Sequence, residues 1–193
     1  MTIVKTTKEY ERMIKKAESD LNTECSRQLD LVNCSAIIAL YEKYGWRTDR
    51  ISKLLFVSQD KWKECAESNS YSMLSLLDEY TGIEMVNDEG KSYKEVIYLN
   101  AEIDRGKPLS TPQWLRMRQN QKKWVKAQVT ACLFIALHEK EGWGFERLSR
   151  LAAEMEDIKA EYGYKNTRLC KACHERAKYD WLGLNNVASK VSA

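Results

Sequence analysis

Apolar residues recur at helical spacing through most of the chain. Ala36, Ile37 and Leu40, and later Leu133, Phe134 and Leu137, follow the three-and-four spacing of a helix face, and each run stops at a glycine, Gly45 or Gly142. Glycine at that place predicts a left-handed residue closing the helix, with Trp46 or Trp143 folding back onto the last turn as the apolar partner of the cap. A second helix restarts at once, with Ile51, Leu54 and Leu55, or Leu148, Leu151 and Ala152, as its inner face. Each stretch therefore predicts a helical hairpin with a Gly-Trp corner.

The two stretches are one phrase written twice. CSAIIALYEKYGWRTDRISKLL (residues 34–55) lies over ACLFIALHEKEGWGFERLSRLA (residues 131–152) without a gap. Ile38-Ala39-Leu40 falls on Ile135-Ala136-Leu137, Gly45-Trp46 on Gly142-Trp143, and Arg50, Ser52 and Leu54 on Arg147, Ser149 and Leu151. Such self-similarity marks an internal duplication.

The flanks extend the pattern. Thr6-Thr7-Lys8-Glu9 has the form of a capping box, and Tyr10, Met13, Ala17 and Leu21 continue as an inner stripe. The polar patch from Asn22 to Arg27 either breaks this helix or is crossed by one long helix reaching Tyr44. Ser110-Thr111-Pro112-Gln113 opens the second copy similarly, at a start seven residues nearer its corner, close to two helical turns. After each corner helix, Asn69 and Asn166 stand as caps for third helices at Ser70 to Tyr80 and Thr167 to Trp181, closed by Gly82 and Gly183. Between the copies, Asn87-Asp88-Glu89-Gly90 is a turn signal, and Ser92 with Glu95 predicts a cap for a connecting helix, a short strand at Glu95 to Leu99 being the alternative. The expected architecture is all-α: a first repeat over 1–82, an acidic connector over 83–109 and a second repeat over 110–193. The repeats act either as a bivalent binder or as one body in which each covers the other's apolar face.

Composition agrees with a folded helical chain. The 193 residues include only two prolines and eight glycines, with 44% apolar and 31% charged residues. The N-terminal residues lack the apolar core of a signal peptide, and no apolar run approaches a membrane span, which points to the cytoplasm and no membrane partner. Six cysteines without an export signal read as reduced thiols at core positions. Net charge is +3, unevenly spread: eight acidic residues face two lysines between Asp78 and Asp104, whereas seven basic residues and no acidic one lie between Arg105 and His138. That asymmetry points to an interaction surface or to the two halves docking on each other.

Candidate chemistry is sparse. Cys170-Lys171-Ala172-Cys173-His174 has the spacing of a haem attachment site or half of a zinc site, but Cys170, Cys173, Ala177 and Trp181 also form one stripe at helical spacing, the inner face of a last helix. His138 takes the place held by Tyr41 in the first copy, which suits the rim of a core. Glu42-Lys43 and Glu139-Lys140 read as a solvated edge. Without a phosphate loop, paired carboxylates or a nucleophile elbow, the expectation is a non-enzymatic protein without cofactor or metal. The best functional candidate is the basic stretch Arg116 to Lys126, where Arg116, Gln119, Lys123 and Lys126 share one side of a helix with Arg118 and Lys122 beside them, while Met117 and Trp124 face the other.

The stretch from Ile135 to Gly144 followed by Glu146-Arg147-Leu148 resembles a segment of small accessory proteins of phages and prophages of Gram-positive bacteria. Counting both copies, the resemblance covers about a quarter of the chain and implies no catalytic residue. Helical phage proteins of this style are similar to anti-CRISPR proteins, which bind a host CRISPR effector nuclease and block its access to DNA. The resemblance implies such a nuclease as partner, with DNA or guide RNA within reach of the basic face. The other readings are a helical DNA-binding regulator using residues 116–126 and a zinc-stabilised structural module.

Overall fold

Two long helices form the axis of the fold. A computed structural model of the chain describes residues 7–67, 72–87, 89–94 and 110–181. Among these residues lie six helices: α1 (Thr7–Tyr44), α2 (Thr48–Glu67), α3 (Ser72–Thr81), α4 (Thr111–Glu141), α5 (Phe145–Glu161) and α6 (Asn166–Ala177). The fold is all-α there, with a single isolated bridge between Val86 and Ser92. No described helix is long and apolar enough to cross a membrane.

The polar patch from Asn22 to Arg27 does not interrupt α1, which runs for 38 residues against 31 in α4. Local bonds explain its tolerance. Glu24 takes a bidentate hydrogen bond from Arg27 at 2.7 and 3.1 Å and another from Gln28 at 2.8 Å, so the charged turn satisfies itself at helical spacing. The Arg27 bond, partly opposed by burial, holds the Glu24 carboxyl below its ordinary range, with smaller help from Lys122 of α4. At the other end the Tyr44 ring lies 4.9 Å from Trp143. Proximity at both places, with the extensive packing between the two helices, means that α1 and α4 run side by side in the same direction.

The corners form as the Gly-Trp phrase predicts. Gly45 and Gly142 adopt φ of 69° and 64°, and the N–H groups of Trp46 and Trp143 reach back to the carbonyls of Leu40 and Leu137 at 3.0 and 3.5 Å, so the chain folds over the last turn after a left-handed glycine. Both indoles are buried. The hairpin expectation needs a correction, however. Although α2 turns away from α1 at the corner, it packs chiefly on α4 and makes little contact with α1. α3 also lies on α4, and α5 and α6 lie on α1. Each half therefore lends its shorter helices to the long helix of the other.

This exchange explains a second departure from the sequence reading. Instead of one inner face, every residue from 31 to 40 in α1 and from 127 to 137 in α4 is buried. Small and apolar residues dominate every side of these segments, Asn33, Ser35, Gln128 and Thr130 being the polar ones, and a helix of that kind must be covered all round. The enclosed hydroxyls turn back to their own helix, Ser35 Oγ donating to Leu31 O at 2.7 Å and Thr130 Oγ1 to Lys126 O at 2.9 Å. A single core runs through α1 and α4 and takes in Ile51, Leu74, Leu148, Leu169 and Trp181 from the covering elements.

Several expected caps resolve differently. Asn166 opens α6, but its side-chain amide donates to Asp30 of α1 at 3.3 Å instead of capping its own helix. The helix stops at Ala177, where Lys178 takes a left-handed conformation with φ of 55°; Trp181 nevertheless remains buried and donates from Nε1 to Asp30 at 2.9 Å. Gly82 closes α3 as expected, with φ of 72° and its N–H on Asp78 O at 2.7 Å. The turn at 87–90 also forms, Asn87 Oδ1 accepting from the N–H groups of Glu89 and Lys91 at 2.9 Å each. The connecting helix and its strand alternative fall from Glu95 onward, outside the described residues, as do the Asn69 and Gly183 caps and Thr6 of the first capping box.

Candidate partner and nucleic-acid interface

The basic stretch occupies the N-terminal half of α4, before the fully buried segment begins. Its start is fixed by Ser110, whose N–H donates to Gln113 Oε1 at 2.9 Å, with Pro112 in the first turn. Trp124 is buried and Met117 half-buried, so this segment turns its apolar side inward. Arg116, Gln119, Lys122 and Lys123 are exposed, while Arg118 and Lys126 are half-buried.

The five cations do not stand equally free. Arg118 lies over the Trp114 ring, 5.0 Å from its centroid, and donates to Gln121 Oε1 at 2.8 Å. This stacked, tethered guanidinium is set in a fixed orientation. Lys123 reaches Glu89 of the connector turn at 2.6 Å, and the Glu89 carboxyl is held below its ordinary range by that bond. Lys126 reaches Glu156 of α5 at 3.1 Å, sharing it with Lys159 at 2.7 Å. The charge asymmetry of the sequence points to this docking of the basic stretch on the acidic connector, though not to Glu89 by name, and the sequence reading missed Glu156 as a counter-charge. Only spatial proximity brings in Glu156.

Other candidates settle into structural roles. Nδ1 of His138 lies 3.0 Å from Trp143 O, and its ring stacks on Tyr80 at 5.3 Å, so it steadies the second corner. The edge read as solvated is paired across the halves: Glu42 binds Arg176 through bonds of 2.7 and 2.8 Å, and Glu139 binds Lys61 at 3.1 Å. At the corners, Arg50 lies 4.0 Å over Trp46 and ion-pairs with Glu141, while Arg147 lies 5.3 Å over Trp143. Gly45, Trp46, Gly142 and Trp143 are thus the structural corner that the sequence indicates.

Cys170 and Cys173 are buried, as their helical stripe predicts, and His174 is exposed. Cys34 of α1 meets Cys170 with 3.5 Å between sulfurs. Contacts with Cys170 and Cys173, together with burial, push ionisation of the Cys34 thiol far up. Among the described residues no group of three or more His, Cys, Asp and Glu side chains is placed to hold a metal ion. No protein family, curated protein or solved structure matches the chain.

Proposed function

We propose that the chain is a non-enzymatic binding protein of phage type that uses the basic segment of α4 to engage a nucleic-acid-targeting host nuclease in the cytoplasm and block its access to DNA, in the manner of an anti-CRISPR protein. The nuclease and the phage setting come from the resemblance of the corner segment. The observation that carries the choice of a protein partner is the pairing of Lys123 with Glu89 and of Lys126 with Glu156. Two of five cations are already matched, and the remaining surface combines exposed Arg116 and Lys122 with Arg118 stacked on Trp114. Arginine and tryptophan held in fixed orientation suit directional contacts with a protein, whereas sequence-independent phosphate binding depends on the number of free cations. The repeated corner is read in the same way, as the trace of one ancestral unit duplicated into two halves.

The test is capture of partners from bacterial lysate by the tagged full chain, with and without nuclease treatment. A CRISPR effector or other defence nuclease retained after treatment is the expected result. Loss of every captured species on treatment would defeat the inhibitor reading.

The exposed Arg116, Gln119 and Lys122 favour a second reading, direct binding of DNA or RNA by residues 116–126. That reading requires affinity to fall steeply with salt and to collapse when Lys122, Lys123 and Lys126 are changed to Glu. A nuclease inhibitor gripping a protein surface would keep its partner after nuclease treatment and lose affinity with salt less steeply.

A further inference from the structure

A cleft of about 520 Å³ opens between the turn at 83–90, α4 and α5. Met85, Val86, Phe134 and Met155 give it apolar walls, and Lys126, Glu156 and Lys159 line it as well. Its size lies in the range of small-molecule sites, and apolar walls with a few convergent polar groups are their common lining.

Among the described lining residues the charges around Lys159 do not balance. Both ammonium groups converge on the same Glu156 oxygen, Lys159 Nζ at 2.7 Å and Lys126 Nζ at 3.1 Å. Two cations against one carboxylate leave one positive charge in excess. Lys159 is only 3% exposed, and an ammonium carries three donors, of which the Glu156 bond uses one. The other carboxylate on the lining, Glu84, is engaged by Ser92 and Lys94. A buried cation with donors to spare, beside an apolar cavity, is an environment that a single anion improves.

We propose that the cleft binds a small amphipathic carboxylate, with its headgroup on Lys159 and Lys126 and its apolar body against Met85, Phe134 and Met155. The site shares Lys126 with the basic segment of α4 but uses none of Arg116, Arg118 and Lys122, so Lys159→Met tests the cleft and substitutions at Arg116 and Lys122 test the partner surface separately. Octanoate reports headgroup and tail together, octan-1-ol the tail alone, and octylammonium the opposite charge.

Calorimetric titration of the full chain at low salt is expected to show one saturable site for octanoate, at least tenfold weaker binding of octan-1-ol, and none of octylammonium. Lys159→Met should weaken octanoate at least tenfold and leave octan-1-ol unchanged. Lys126→Met, at the half-buried rim, should weaken octanoate in a chain whose core is untouched, and Ala152→Leu on the cleft wall should weaken both neutral and anionic probes. A wild-type chain that octanoate does not saturate, or that takes octylammonium equally well, would overturn the proposal. So would unchanged octanoate affinity in both lysine variants.

Discussion

Trp46 and Trp143 meet edge to face, with 5.7 Å between ring centroids and 73° between planes. Each indole belongs to the corner of its own half, so the contact joins the ends of the two long helices. Tyr44 packs on Trp143 as well, which makes the second tryptophan the more connected of the two. Trp143→Ala should destabilise the chain by about 3–5 kcal/mol and Trp46→Ala by less, since the cost follows the contacts and the void left behind. Urea unfolding of both variants measures the difference, and equal losses would contradict it.

The corner glycines make a matched pair of tests. A Cβ added at Gly45 or Gly142 meets nothing within 4 Å, so only the left-handed backbone opposes a side chain. Alanine at either position should cost about 1–2 kcal/mol, nearly equally at both. A much larger loss at one corner, read from denaturation midpoints, would mean that something beyond backbone conformation is at stake there.

Acid stability should depend on a pair that crosses the halves. The Arg176 guanidinium, against a smaller opposing effect of burial, holds the Glu42 carboxyl below its ordinary 4.5. A carboxyl with a lowered folded-state pKa contributes stability above its unfolded value, and that contribution disappears as pH falls through the folded value. Arg176→Gln should therefore reduce stability at pH 7 and flatten its decline below pH 4.5. Thermal midpoints across pH 2 to 7 for wild type and variant check both signs.

Lys159 gives the opposite kind of result. Burial lowers its pKa despite the bond it donates to Glu156, so the unfolded chain holds its proton more tightly, and stability should rise as pH climbs toward lysine's ordinary 10.5. Lys159→Met should be neutral or stabilising by about 1 kcal/mol, because Glu156 keeps Lys126 and a buried cation is removed. Chemical denaturation near pH 7 and pH 10 would show that alkaline gain in wild type and its loss in the variant.

The thiols offer a check on the core. Cys34, Cys132, Cys170 and Cys173 are buried in the reduced state and Cys25 is half-buried. Native protein treated with a water-soluble thiol reagent should protect these four, and denaturant should release them together. Rapid labelling of Cys34 or Cys170 in the native chain would contradict the packing of α6 on α1.

What the sequence discloses here is local physics. Gly45-Trp46 and Gly142-Trp143 specify their corners with a handful of neighbouring atoms, and the stripe of Cys170, Cys173 and Ala177 names the buried face of α6, while Trp181 is buried beyond the end of that helix. The shorter lead of the second copy is matched by the shorter α4. The exchange of covering helices is different, because a corner fixes where a chain turns and leaves open which distant surface the next helix meets. The same limit applies to the candidate interface: five cations are visible in residues 116–126, but Glu156 becomes a counter-charge only when α5 lies beside α4. Asn166 illustrates the point at one residue, since its amide had a local cap available and took Asp30 instead.

The exchange of helices also sets an order of events during synthesis. The segment 31–40 of α1 is mostly apolar and buried on every side, and its covers α5 and α6 come from the other end of the described chain. As the chain emerges from the ribosome, this greasy stretch precedes its shelter by well over a hundred residues. Such separation is unusual for a helical protein, where neighbours in sequence commonly close the core quickly. The first half thus completes the cover of its long helix only once the second half has been made, and its folding is timed by the arrival of the second.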